Sequence, residues 1–178
     1  KAILFATDAH KDQTRKHSGK PYIIHPVTVA NDVIRFTDNV DIYIAALLHD
    51  TVEDVEHVTN EIIVEEFGTT IGHYVECLTD EYTKIKYPHL IRRQRTKLET
   101  ERAILSPEEV KLIKYCDIKN NVPSIVEHDK DFAKVYLIEK RNYLSKVRTQ
   151  VYHQAYEEVS LIVKNGIEQL ENEGFYRN

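Results

Sequence analysis

At 178 residues the chain has the size of one domain and can bury a sizeable core. Its 42% apolar and 30% charged residues match a globular protein and exclude a disordered chain, and no apolar run approaches the roughly 20 residues of a membrane span. A formal charge of −5 argues against wrapping duplex nucleic acid but allows a small anionic ligand held by a local basic cluster.

Apolar residues recur mainly at helical spacing, and no repeat, linker or run of strands interrupts them, so the expectation is one all-α domain over 1–178. Residues 1–12 read as a first helix with Ile3, Leu4, Ala6 and Ala9 inward. A polar, irregular stretch follows from Gln13 to Tyr22. Pro26 fits the first position of a helix that runs to Phe36. Asp41 can cap a helix from Ile42 to Asp54, whose first half is apolar nearly all round and therefore buried. Thr59 can cap a helix stopped by Phe67-Gly68. Another helix spans Thr69–Leu78, and a strongly charged one spans 88–104. Ser106-Pro107-Glu108-Glu109 is a start signal for a helix through Val122. Shorter helical pieces come next, and 148–173 reads as a long, mostly polar terminal helix.

The start, Lys1 to Phe5, is too short for a signal peptide. Cys77 and Cys116 form no zinc-type spacing and read as buried thiols in a reducing, cytoplasmic setting.

The most informative pair is His49-Asp50, at the polar end of the apolar helix. Burying a lone carboxylate is costly, and a cation offsets that cost. A metal held there can also activate water at neutral pH. Glu53 and Asp54 follow one helical turn later, where a carboxylate could orient or deprotonate that water. The alternative is a surface His beside solvated acids. His25 has little backbone freedom in Pro21-Tyr22-Ile23-Ile24-His25-Pro26, which suits a ligand as well as a structural His. Asp117 sits in a helix with an apolar face (Val110, Leu112, Ile113, Cys116), a place where Asp needs solvent or a partner, and Asn121 shares its face. The basic segment Lys84–Lys97 reads either as a solvated helix face or as a phosphate-steering lid.

Several segments together resemble the hydrolase domain of RelA/SpoT-type proteins, and most of all the small stand-alone alarmone hydrolases. They are Ala9-His10, Gln13-Thr14-Arg15-Lys16, Gly19-Lys20-Pro21-Tyr22-Ile23-Ile24-His25-Pro26, Ala45-Ala46-Leu47-Leu48-His49-Asp50-Thr51-Val52-Glu53-Asp54, Phe67-Gly68 and Leu78-Thr79-Asp80. The resemblance covers about residues 1–145 in the family's order. It implies a compact helical bundle around one divalent ion, usually Mn²⁺, with His25, His49, Asp50 and Asp117 as ligands. It implies Glu53 and Asp54 as the pair that activates the attacking water. Arg15, Lys16, Asn121 and Tyr143 match substrate-binding positions. The reaction implied is hydrolysis of the 3′-pyrophosphate of ppGpp to GDP and pyrophosphate. One departure stands out: the family commonly has Lys directly after the Asp that matches Asp117, whereas Ile118 follows here and Lys119 comes one later. Two other readings therefore stay open, an enzyme of the same type acting on another nucleotide or phosphoester such as NADPH, and a non-catalytic nucleotide-binding module.

Overall fold

Ten helices follow one another in the computed structural model, which describes residues 1–175. They are α1 (Ala2–Ala9), α2 (Ile24–Val33), α3 (Val40–Leu48), α4 (Thr51–Asp54), α5 (Asn60–Phe67), α6 (Thr69–Leu78), α7 (Arg92–Ile104), α8 (Glu108–His128), α9 (Lys130–Lys146) and α10 (His153–Asn172). Among the described residues the β-structure is limited to an isolated bridge between Thr14 and Pro21. The fold is all-α, and no helix is long and apolar enough to cross a membrane among the residues described.

The apolar run predicted to be buried becomes the hub. Ile42, Ala45, Ala46, Leu47 and Leu48 of α3 are fully or almost fully buried, and α3 packs on α1, α2, α6 and α8. Complete burial contributes roughly 1.5–3 kcal/mol for each of the larger side chains. The small Ala45 and Ala46 let the neighbouring helices approach. Leu112, Ile113 and Ile118 of α8 fill the other half of the same core. Helix α10 closes the bundle against α8 and α9. A Cβ at Gly166 would lie 3.1 Å from a Leu137 methyl, so a larger residue there would require Leu137 to give by a few tenths of an ångström.

Several local expectations change. In α1 the inward residues are Ala2 and Ala6, while Ile3 and Leu4 are 45% and 76% exposed. The helix also ends at Ala9, and its short apolar face is made by Ala2, Ala6 and Ala9 with Phe5 partly buried beside them. Helix α2 starts at Ile24, which puts Pro26 in its first turn rather than at its first position, and it ends at Val33. The α3 cap is Asn39, whose side chain accepts from the Asp41 N–H at 2.9 Å; Asp41 is already inside the first turn. The expected Ile42–Asp54 helix is two helices, broken at His49-Asp50. Gly68 does stop α5, at φ +93°, a backbone angle that L side chains rarely adopt. Helix α8 runs past Val122 to His128, through Pro123. Proline cannot donate to the preceding turn, but Val122 and Val126 are buried on either side of it and hold the helix in register. The shorter pieces expected after α8 are one 17-residue helix, α9. Cys116 is buried, but Cys77 is only partly so, and both are free thiols.

A charged knot ties α2, α8 and α10 together. Glu158 accepts from Arg35 through two nitrogens at 3.0 and 2.9 Å and from Lys119 at 2.6 Å, and both cations also reach Asp32. These hydrogen bonds hold Glu158 down from an ordinary 4.5 to about 2. A depressed carboxylate stabilises the fold above its unfolded pKa and loses that contribution as pH falls through the folded value. We expect Glu158→Gln to lower stability by about 1–2 kcal/mol at pH 7, a network-sized effect reduced by solvent screening. In urea unfolding the gap to wild type should shrink as pH drops from about 4.5 towards 2. A gap independent of pH would show that packing, not charge, is lost.

Candidate metal centre

The break between α3 and α4 is where the site begins. His49 ends the buried helix, Asp50 has φ −96° and ψ −6°, and the Thr51 hydroxyl donates back to the Leu48 carbonyl at 2.7 Å. The chain turns there on a rigid base, so both side chains leave the core at a fixed angle. The proline-flanked segment seats His25 in the first turn of α2, and the long α8 carries Asp117 past both.

Three of these groups, His25, His49 and Asp117, offer ligand atoms that lie within 4.8 Å of one another. His25 Nε2 is 3.2 Å from Asp117 Oδ1, and His49 Nε2 is 3.9 Å from the same oxygen. The Asp50 carboxylate joins them, 3.1 Å from His49 Nε2 and 3.5 Å from His25 Nε2. Both imidazoles are 2% exposed.

The far side of each ring decides which nitrogen faces inward. His49 Nδ1 meets the Ala46 carbonyl at 2.8 Å, and His25 Nδ1 meets the Asn120 side-chain oxygen at 2.6 Å. Those partners accept, so each Nδ1 carries a proton and the neutral form of each ring turns the Nε2 lone pair to the cluster. His49 Nε2 is buried and makes no hydrogen bond. Burial by itself lowers the proton affinity of His49, yet Asp50 and Asp117 raise its pKa to about 9. Burial would raise Asp50 and Asp117, but His49 holds the first, and Lys114 the second, well below the usual carboxylate range. Without an ion the two carboxylates favour a second proton on His49, and a divalent cation held by the same groups would take that proton's place.

An outer layer orients these groups. Tyr22 donates to Asp50 at 2.7 Å. Its ring stands between His10, at 4.8 Å between centroids, and His25, at 5.8 Å. His10 and Gln13 lie 2.7 Å apart through Nδ1 and Oε1, and Gln13 donates to the Asp54 carbonyl at 2.8 Å, which links this layer to the end of α4. Asn121 donates to Asp117 at 2.6 Å and accepts from Arg15 at 3.0 Å. Arg15 is presented by a tight loop in which Gly19, at φ +64°, donates to the Arg15 carbonyl at 2.9 Å.

The remaining predicted site residues divide. Glu53 accepts from the Asp80 N–H at 3.2 Å and borders a cavity of about 320 Å³ beside the centre. Both Glu53 and Asp54 keep an exposed surface, but the sides facing the site are desolvated. Burial and then the Asp80 charge raise Glu53 to about 7, and burial and then Asp50 raise Asp54. Tyr143 is buried and lines the same cavity. Lys16 is not gathered in: its exposed ammonium pairs with Asp129 at 2.8 Å. Of the basic segment, Lys84, Arg92 and Arg95 border the cavity, so part of it does reach the site, and Arg92 is clamped by Glu139 through two 2.8 Å bonds. Lys119, the neighbour of the substituted Ile118, faces Asp32 and Glu158 instead of the centre.

Sequence reasoning missed Lys114, which pairs with Asp117 at 3.2 Å, as well as Asn120, Tyr22 and Lys140. Lys114 lies three residues before Asp117 on the same helix, a spacing that could have been read. Asn120 could not, because its partner is on α2.

The HD domain family matches residues 2–138. The guanosine-3′,5′-bis(diphosphate) 3′-pyrophosphohydrolase of Aquifex aeolicus (strain VF5) is 36% identical over 152 residues, covering 85% of this chain and 20% of that protein. The human guanosine-3′,5′-bis(diphosphate) 3′-pyrophosphohydrolase MESH1 is 38% identical over 119 residues, covering 65% of this chain and 63% of that protein. The chain thus spans less than two thirds of the length of these curated relatives. Among solved structures, that of a metazoan SpoT orthologue described as hydrolysing ppGpp superposes with a TM-score of 0.76 at 23% identity, over 94% of this chain and 92% of that one; the likeness is one of fold.

Proposed function

The chain belongs to the HD domain family, and from that membership we propose that it is a divalent-metal-dependent hydrolase that removes the 3′-pyrophosphate of guanosine 3′,5′-bis(diphosphate), leaving GDP. The observation that carries the reading is the buried cluster of His25, His49 and Asp117, with Asp50 against it and His49 Nε2 left without a hydrogen bond. Two imidazoles and two carboxylates would hold the cation, and the ion that the family resemblance implies is Mn²⁺, which suits mixed nitrogen and oxygen ligands. When bound, the cation supplies Lewis acidity, drawing charge from a phosphate and making water a stronger acid.

The chain's own groups do the rest. Glu53, with its raised pKa, is suited to take a proton from the attacking water near neutral pH, and Asp54 lies beside it to orient that water. Arg15, steadied by Asn121, offers a planar donor fork to the phosphates. Tyr143 forms part of the cavity wall that a nucleotide would meet. The names of the Aquifex and human relatives support this substrate. A cytoplasmic location fits a soluble nucleotide substrate.

A second reading keeps the centre and changes the nucleotide, for example to NADPH. It is favoured by Ile118, which is buried in the core, and by Lys119, which is engaged by Asp32 and Glu158. One assay separates the two: product release from ppGpp and from NADPH with Mn²⁺, with and without a chelator. Pyrophosphate and GDP from ppGpp, abolished by the chelator, is the expected result. Phosphate from NADPH with ppGpp untouched would replace the first reading with the second. Turnover of neither would remove both.

A further inference from the structure

His10 is only 2% exposed, yet it neither joins the metal cluster nor borders the cavity. It follows Ala9 at the end of α1, and its ring packs on that of Tyr22 at 4.8 Å between centroids. An apolar side chain would fill that space without a polar atom. The histidine instead carries Nε2 buried without a hydrogen-bond partner among the described residues, which is costly. What offsets that cost lies on its other nitrogen.

His10 Nδ1 is 2.7 Å from the Gln13 side-chain oxygen, and the Gln13 amide nitrogen donates to the Asp54 carbonyl at 2.8 Å. The polarity of this chain is fixed from its far end. A carbonyl only accepts, so the amide nitrogen faces Asp54, the amide oxygen faces His10, and Nδ1 carries the proton between them. Half a turn of the amide would set its oxygen against the Asp54 carbonyl. The His10 donor holds it against that rotation.

The receiving end is α4, four residues long (Thr51–Asp54). A single turn has little stability of its own, and its last carbonyls lack partners within the helix. Its place is set by contacts from outside, the Asp80 N–H on Glu53 and the Gln13 amide on Asp54. We propose that His10 is a positioning residue for the water-activating acids: through Gln13 it fixes the end of α4, and with it the Asp54 carboxylate, from outside both the metal cluster and the cavity. Its part in turnover rests on the hydrolase reading above; its anchoring of α4 does not.

The test compares wild type with His10→Phe, Gln13→Leu, the double variant and His10→Asn, all loaded with Mn²⁺. Phenylalanine keeps a ring against Tyr22 and removes the donor, whereas asparagine puts a donor back where Nδ1 was. His10→Phe should lower kcat for ppGpp by about 10–100-fold, the scale of a small misplacement of reacting groups, with KM within about threefold and the metal retained. Gln13→Leu should match it, and the double variant should be no worse than either, because both cut one chain. His10→Asn should recover most of the loss. Hydrogen exchange followed by mass spectrometry gives a readout that needs no turnover. In His10→Phe the amides of α4, where the Asp54 N–H donates to the Asp50 carbonyl at 2.9 Å, should exchange about tenfold faster while those of α8 keep their rates. Unchanged kcat in His10→Phe, effects that multiply in the double variant, or unaltered exchange in α4 would each overturn the proposal. Faster exchange throughout the bundle would show a general loss of packing and overturn it too. A wild type that leaves ppGpp intact would remove the hydrolase reading, and exchange in α4 then decides by itself whether His10 anchors that turn.

Discussion

Asp117→Asn is expected to yield a protein that carries no divalent ion, has lost at least about 10³-fold in hydrolysis, and is less stable by about 3–5 kcal/mol. The substitution preserves shape and removes one negative charge from the middle of the site. His25 at 3.2 Å, His49 at 3.9 Å and Lys114 at 3.2 Å all face that charge, and Asn121 donates to it at 2.6 Å. Breaking a buried pair from one side leaves the other side charged, so Lys114 loses its ion-pair partner and keeps only the more distant Asp80 and Glu53. Metal content by elemental analysis gives the first readout. Urea unfolding of wild type and variant in chelator gives the second, because both are then metal-free and the remaining difference reports Lys114 and the imidazoles. Stoichiometric metal in the variant would take Asp117 out of the ligand set.

Glu53→Gln should keep the metal and the fold and lose turnover by on the order of 10²-fold or more. The glutamine amide oxygen can still accept from the Asp80 N–H, which lies 3.2 Å from the native carboxylate, so the side chain has reason to stay in place. What disappears is a group able to accept a proton. The raised pKa of Glu53, caused by burial and by the Asp80 charge, is what suits it to that step near neutral pH. The loss should fall on kcat rather than on KM, since an amide of the same shape leaves substrate binding largely as it was. Unchanged turnover would end the assigned role, and loss of metal together with turnover would make Glu53 part of the metal centre instead. Asp54→Asn tests the other half of the pair by the same comparison.

The helical character of the chain was legible because apolar residues recur at a helical period and the stops are explicit, as at Gly68. Helix ends were less legible. Asn39 outcompeted Asp41 as a cap because capping depends on which backbone N–H the side chain can reach, and that changes with a shift of two residues. The expected end of α8 at Val122 falls just before Pro123, but packing against α10 accompanies the helix on to His128. On the inner face of α1 Ala6 and Ala9 meet the core as expected, but Ile3 and Leu4 do not, because four apolar residues in a short segment do not say which arc faces inward.

What the sequence alone determined about this protein is the buried α3 hub and the all-α architecture, for these rest on local period and residue type, while the candidate site residues were singled out by the family resemblance. What only the tertiary structure decided is everything that depends on distances across the bundle. His25, His49 and Asp117 come from three helices and meet only because α2, α3 and α8 pack on one core. The same packing turned Lys16 out towards Asp129, locked Lys119 into the α2–α10 knot and set Lys140 in the wall of the cavity beside the centre. A charge's role is set by its neighbours through the local dielectric and the partners within reach, and those partners are distant in sequence.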